Sequence, residues 1–118
     1  MKKGAMLLMT VLMLAACAPS RSFAAKISVV KGEKGPGFSP ATTFVLGSHG
    51  SLKVTNTLDK PHGFSIDELN VKKIIEPGGT IEVKLAGVQP VDYQYYCQLH
   101  DVVTGKGKHQ RGLLRVAR

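Results

Sequence analysis

A chain of 118 residues has room for one domain and one hydrophobic core. With 43% hydrophobic and 20% charged residues, and no run of like charge longer than two, it is neither a disordered segment nor a coiled coil. Setting aside Lys2 and Lys3 lowers the formal charge of +8 to +6, and the remaining basic residues cluster only at Lys72-Lys73 and from Lys106 to Arg118, a pattern that excludes nucleic acid and favours acidic proteins or anionic lipid head groups.

Residues 1–17 read as a lipoprotein-type signal peptide. Lys2 and Lys3 form the basic start, and Met6 to Ala16 is an uncharged, mostly apolar run about half as long as the ~20 residues a spanning helix needs. Leu14-Ala15-Ala16-Cys17 resembles the bacterial lipobox, which implies an acylated Cys17 as first mature residue. Ala18 is not an aspartate, which implies that the inner membrane does not retain the protein. The expected location is therefore the periplasmic side of the cell envelope, anchored to the outer membrane through Cys17. Cleavage after Ser22-Phe23-Ala24, giving a soluble periplasmic protein, is the alternative. Residues 18–25 read as a short tether and 26–118 as the domain.

From there the period is two. Lys26 to Val30, Thr42 to Leu46 and Ser51 to Thr55 read as strands, while the three glycines and two prolines of Gly32 to Pro40 read as a loop. His49, in Gly47-Ser48-His49-Gly50, reads as a turn residue. Pro77-Gly78-Gly79 marks a tight turn before Thr80 to Leu85, in which Ile81, Val83 and Leu85 alternate with Glu82 and Lys84. Tyr93 and Tyr95 share a face with Cys97, and Gln94 and Tyr96 take the other. The final strand spans about Leu113 to Val116. Seven or eight short strands with no convincing helix predict an all-β Greek-key β-sandwich.

The chemistry gathers in the second half: His62 on an early strand, then Cys97-Gln98-Leu99-His100, then His109 three residues before Gly112. Either processing route leaves Cys97 as the one mature thiol able to bind metal, in a compartment that oxidises thiols. One thiolate with two or three imidazoles is a mixed soft and borderline donor set, suited to copper rather than to a hard cation. Zinc could occupy the same atoms. Gln110 competes with His109 as the axial donor, and because no methionine follows Met13, a thioether ligand is excluded.

Gly63-Phe64-Ser65-Ile66-Asp67, Val71, Pro77-Gly78-Gly79-Thr80, Tyr96-Cys97-Gln98-Leu99-His100 and His109-x-x-Gly112-x-Leu114-x-Val116 together resemble the nitrosocyanins, the red-copper members of the cupredoxin superfamily. The likeness spans roughly residues 44 to 118. It implies a cupredoxin-like sandwich with one copper per chain, held by His62, Cys97, His100 and His109. Two departures stand out: His62 occupies the position of the nitrosocyanin glutamate, and the loop from His100 to His109 is longer than the family's. Four strong donors imply a lower reduction potential and a spectrum that is not simply blue.

The function expected is one-electron transfer rather than enzymatic turnover, with an acidic redox partner and Tyr96 as a candidate electron route. A nitrosocyanin-like site that binds or converts a small molecule such as nitric oxide is the second expectation. A copper buffer or delivery protein ranks last, because methionine-rich or multi-cysteine sites are lacking. The resemblance also admits an oligomer.

Overall fold

Alternation of apolar and polar side chains sets the architecture. In β4 (Gly50–Asn56) Leu52 and Val54 are buried around an exposed Lys53, and in β9 (Gly112–Ala117) Leu114 and Val116 are buried around an exposed Arg115. The computed structural model describes residues 23–47 and 50–118. The signal peptide with Cys17, the first five tether residues and His49 lie outside the described residues.

One sheet has the order β2-β1-β4-β7, comprising β1 (Phe23–Gly32), β2 (Gly35–Ser39), β4 and β7 (Thr80–Lys84). The other has the order β3-β9-β8, from β3 (Thr42–Leu46), β9 and β8 (Asp92–Tyr95). The hairpin of β5 (His62–Ile66) and β6 (Val71–Ile75), joined through a 3₁₀ turn at Asp67–Leu69, extends this second layer. Its link is a bridge in which Ser65 and Tyr96 exchange backbone hydrogen bonds at 2.8 and 3.0 Å. Two parallel pairings, β1 with β4 and β3 with β9, join segments remote in sequence, so connections cross from one layer to the other. Ile27, Val29, Leu52 and Val54 of the first layer meet Phe64, Tyr93, Tyr95 and Leu114 of the second in one core. The fold is the expected β-sandwich.

Three details differ from the sequence reading. There are nine strands among the described residues rather than seven or eight. The stretch read as a loop contains β2, which pairs with β1 across a two-residue turn at Glu33-Lys34. Its proline survives because β2 is an edge strand, where a missing N–H breaks no ladder. Finally, β1 begins at Phe23, inside the stretch read as a tether, because the backbone from Phe23 onward pairs with β4 from Gly50 onward.

Candidate metal centre

Each donor comes from a different part of this frame. β5 is buried along its whole length, so His62 at its first position faces inward, pinned between β6 and the end of β8. Cys97 continues the buried face of Tyr93 and Tyr95 beyond β8. His109 lies just before β9, closing a loop whose neck is tied by its own N–H to the His100 carbonyl (2.9 Å) and by the Val102 N–H to the His109 carbonyl (3.0 Å). Gly107 folds back so closely on His100 that a Cβ there would collide with its backbone. This closeness explains a glycine in the loop.

His62, Cys97 and His109 are all buried, and one donor atom from each lies within 4.8 Å of the others. Cys97 Sγ is 4.0 Å from His62 Nδ1 and 3.5 Å from His100 Nδ1. Sulfur and nitrogen ligands of one tetrahedral ion stand about 3.5 Å apart, given bonds of about 2.3 and 2.0 Å, so these separations fit a shared metal. His100 stands outside the tightest triplet, half-buried, with its ring centroid 5.2 Å from that of His62.

The donor set also passes a test of hydrogen bonding. His109 Nδ1–H donates to the Gln110 carbonyl at 3.1 Å, which leaves Nε2 as the lone-pair nitrogen. That atom is fully buried and has no partner, the one such side-chain atom among the described residues. An orphaned buried acceptor is costly, and a metal ion satisfies it. A backbone carbonyl on the opposite ring nitrogen is also the usual second partner of a ligating histidine. Burial pushes the His109 pKa down to about 4. Burial, aided by the charge of His100, lowers that of His62 as well. Both rings are therefore neutral at pH 7, the form that binds metal. At the sulfur, the Gly63 N–H donates to Cys97 Sγ at 3.1 Å.

Several supporting residues carried no signal in the sequence. Phe38 of β2 packs its ring 4.7 Å from His109, and the Pro36 carbonyl accepts from the Gln110 N–H at 2.8 Å. At Gly35 the backbone has φ +125° and passes so close to Lys108 that no side chain fits. The hairpin missed as a loop thus backs the His109 loop. Asp101, fully buried, receives both Arg111 Nε (3.0 Å) and Nη2 (2.7 Å), and the Arg111 guanidinium holds its pKa down to about 2. Asn56, also fully buried, donates to the Lys60 and Ile75 carbonyls and so shapes the turn leading into His62. Gln98 lies over Gly63, accepting from Ser65 Oγ at 2.8 Å and donating to the Lys73 carbonyl at 3.0 Å.

Two sequence candidates have other engagements. Gln110 turns its amide to the Lys108 carbonyl at 3.1 Å, an exposed contact, while its neighbour His109 joins the cluster. Tyr96 is half-buried on the face opposite Cys97; its hydroxyl donates to Asp67, and the Arg111 guanidinium stacks 4.6 Å from its ring. On the outer side, His62 and His100 border an open cleft of about 800 Å³ whose rim carries Lys31, Lys34, Lys60 and Lys108 against Glu33 and Asp59.

The family model of the cupredoxin-like domain matches residues 4–108, so the chain belongs to that family; the match ends one residue before His109. A search of curated proteins finds no match. Among solved structures, the chain is similar to a mutant plastocyanin of fern at 17% identity and TM-score 0.60, covering 78% of this chain and 99% of that one. It is similar to a purple cupredoxin from Nitrosopumilus maritimus at 18% and 0.61, covering 79% and 99%. It is also similar to the metal-binding domain of the Cu(I)-exporting P-type ATPase CopA of Streptococcus pneumoniae D39, solved with Cu(I), at 12% and 0.63, covering 86% and 92%. At these identities the likeness establishes the fold.

Proposed function

We propose that this member of the cupredoxin-like family holds one copper ion through His62, Cys97, His100 and His109 and carries single electrons at the bacterial cell envelope. The observation that carries this reading is the buried His62-Cys97-His109 cluster with its orphaned His109 Nε2. When bound, copper would supply a one-electron couple between Cu(I) and Cu(II). The chain's contribution is rigidity: donors fixed by two sheets and a tied loop need little rearrangement when the charge at the site changes. The Gly63 N–H on Cys97 Sγ stabilises the thiolate and tunes the potential.

Envelope location rests on the Leu14-Ala15-Ala16-Cys17 motif, with the start of β1 as support. Cleavage after Ala24 would remove Phe23 and Ala24, whose backbone pairs with Gly50 and Ser51; cleavage before Cys17 keeps them. The lysine-rimmed cleft at His62 and His100 suits an acidic redox partner docking within electron-transfer reach. Tyr96, adjacent to Cys97, offers a second way out.

A nitrosocyanin-like role, with nitric oxide or a similar small molecule as ligand, is favoured by one observation: His100 is half-exposed beside that cleft, so the centre is approachable from outside. Copper loading of the full-length protein, followed by optical and electron paramagnetic resonance spectra beside those of His109→Ala, tests the assignment. The expected result is a thiolate-to-copper absorption that is not simply blue and that shifts in the variant. Stoichiometric zinc in protein purified from its native envelope, or a spectrum indifferent to His109→Ala, rejects it. Adding nitric oxide to the oxidised protein separates the two roles, because a pure electron carrier shows no spectral change.

A further inference from the structure

We propose that the end of the sandwich opposite the metal centre lies on an anionic lipid bilayer, so that the copper site faces away from the membrane. This inference rests on the lipoprotein reading and adds an orientation to it. Between the starts and ends of three strands lies a mostly apolar groove of about 380 Å³, lined by Ala24, Ala25, Phe44, Val45, Leu46 and Ala117. Two of these are large and open to solvent: Phe44 is 69% exposed and Leu46 43%. Both sit on β3, the edge strand of its sheet. Nothing in the copper chemistry requires them there.

The chain's own length argues for lipid as the occupant. Five residues separate Cys17 from Phe23, the first residue of β1, so the backbone of an acylated Cys17 lies at most about 22 Å from the start of that strand. Ala24 and Ala25, the next two residues, are already part of the groove. Charge points the same way. Lys26 shares the outer face of β1 with Ala24, Lys84 lies in register with Ala24 through Ser51, and Arg118 follows Ala117. Arg115, beside Phe44, is paired with Asp92 at 3.4 Å and leaves little net charge there. An apolar patch fringed by basic residues is the composition of a surface that rests in the head-group layer. A second copy is the weaker occupant, since each copy is expected to carry a net charge of +6 after processing and would repel the other.

The orientation follows from β1. Its first residues form the groove, while Lys31 and Gly32 at its other end line the cleft at His62 and His100. The seven residue steps from Ala25 to Gly32 span about 23 Å. A soluble partner therefore reaches the cleft without meeting the bilayer.

The chain contains no tryptophan, so a single introduced one reports alone. Full-length Phe44→Trp and Val103→Trp proteins, the second reporting from the His100–His109 loop, are reconstituted in vesicles of phosphatidylethanolamine and phosphatidylglycerol with brominated acyl chains. Phe44→Trp is expected to shift its emission to the blue and to be quenched several-fold more than Val103→Trp. Equal exposure of the two reporters in a protein whose mass includes the diacylglyceryl group overturns the orientation and leaves the anchor standing. Equal exposure in a protein lacking that mass rejects the anchor and the orientation together. A concentration-dependent blue shift of Phe44→Trp without vesicles assigns the groove to a second copy and overturns the proposal. Preferential quenching in a Cys17→Ala background supports it independently of the anchor.

Discussion

The two sides of the metal centre are built differently. On the inner side His109 is buried, packed at a tilt against Phe38, bonded through Nδ1 to a carbonyl and tied by a loop neck that Asp101 and Arg111 reinforce. On the outer side His100 is half-exposed and borders a wide charged cleft. The same residue type thus does two jobs. The inner ring is a structural part of the core that also offers a donor atom; the outer ring, in the proposed copper site, would be a donor at the surface, placed to mediate exchange. The contrast predicts that removing His109 unsettles fold and metal binding together, while removing His100 affects metal binding alone.

The sharpest way to break the contrast is a pair of substitutions. His109→Ala deletes a buried ring packed against Phe38 and His62, and the cavity should cost the metal-free protein about 3 kcal/mol. His100→Ala removes a half-exposed ring and should change metal-free stability by no more than about 0.5 kcal/mol. Both should weaken copper binding by at least the roughly 10–100-fold that loss of a residue hydrogen-bonded to a ligand costs. Denaturant unfolding with and without copper reads both effects. Equal stability losses would erase the distinction.

Acid should expose the same asymmetry. His109 has its pKa lowered from 6.5 to about 4, so between those values the unfolded chain takes up a proton that the folded protein refuses. Stability of the metal-free protein is therefore full above pH 6.5 and falls as pH drops to about 4, by about 3 kcal/mol. Asp101, lowered from 3.8 to about 2, adds a second loss between those values, since its carboxylate must be protonated away from Arg111. Unfolding measured across this range should show the upper step vanish in His109→Ala and the lower one vanish in Asp101→Asn. An upper step that persists in His109→Ala would shift the assignment to His62, whose pKa is also lowered.

Much of this was legible in the sequence, and the exceptions share a cause. Strands β4, β7 and β9 alternate cleanly, and Cys97 and His100 are local enough to be read as a pair. His62 was legible as a donor from its residue type and its resemblance-matched position. β2 was not, because its glycines and proline spell a loop by local propensity; edge position and packing on Lys108 and Gln110 override that preference. Asn56, Asp101 and Arg111 were overlooked for a related reason. Each acts by satisfying backbone or side-chain groups brought close by tertiary folding, and polar residues in loops look solvated until the loop is placed. Gln110 stayed the alternative to His109 in sequence because the two are adjacent, although imidazole chemistry and the register to Gly112 favoured the histidine; in the fold the His109 ring is the one buried beside His62 and Cys97.

Gln98 offers the gentlest probe of how the inner side is kept in order. Its amide spans Ser65 Oγ and the Lys73 carbonyl, and it covers Gly63, whose N–H points at Cys97 Sγ. It reaches neither histidine nor sulfur itself, so any influence on the metal must pass through Gly63. Gln98→Ala removes two hydrogen bonds of part-buried and exposed character, a loss of about 1 kcal/mol in unfolding experiments. If the cover fixes the N–H···S contact, the reduction potential should fall as the thiolate loses that donor's stabilisation and binds copper more strongly, while copper stoichiometry stays unchanged. A potential identical to the parent's alongside the small stability loss would reduce Gln98 to a strand clamp and leave the Gly63 geometry to β5 alone.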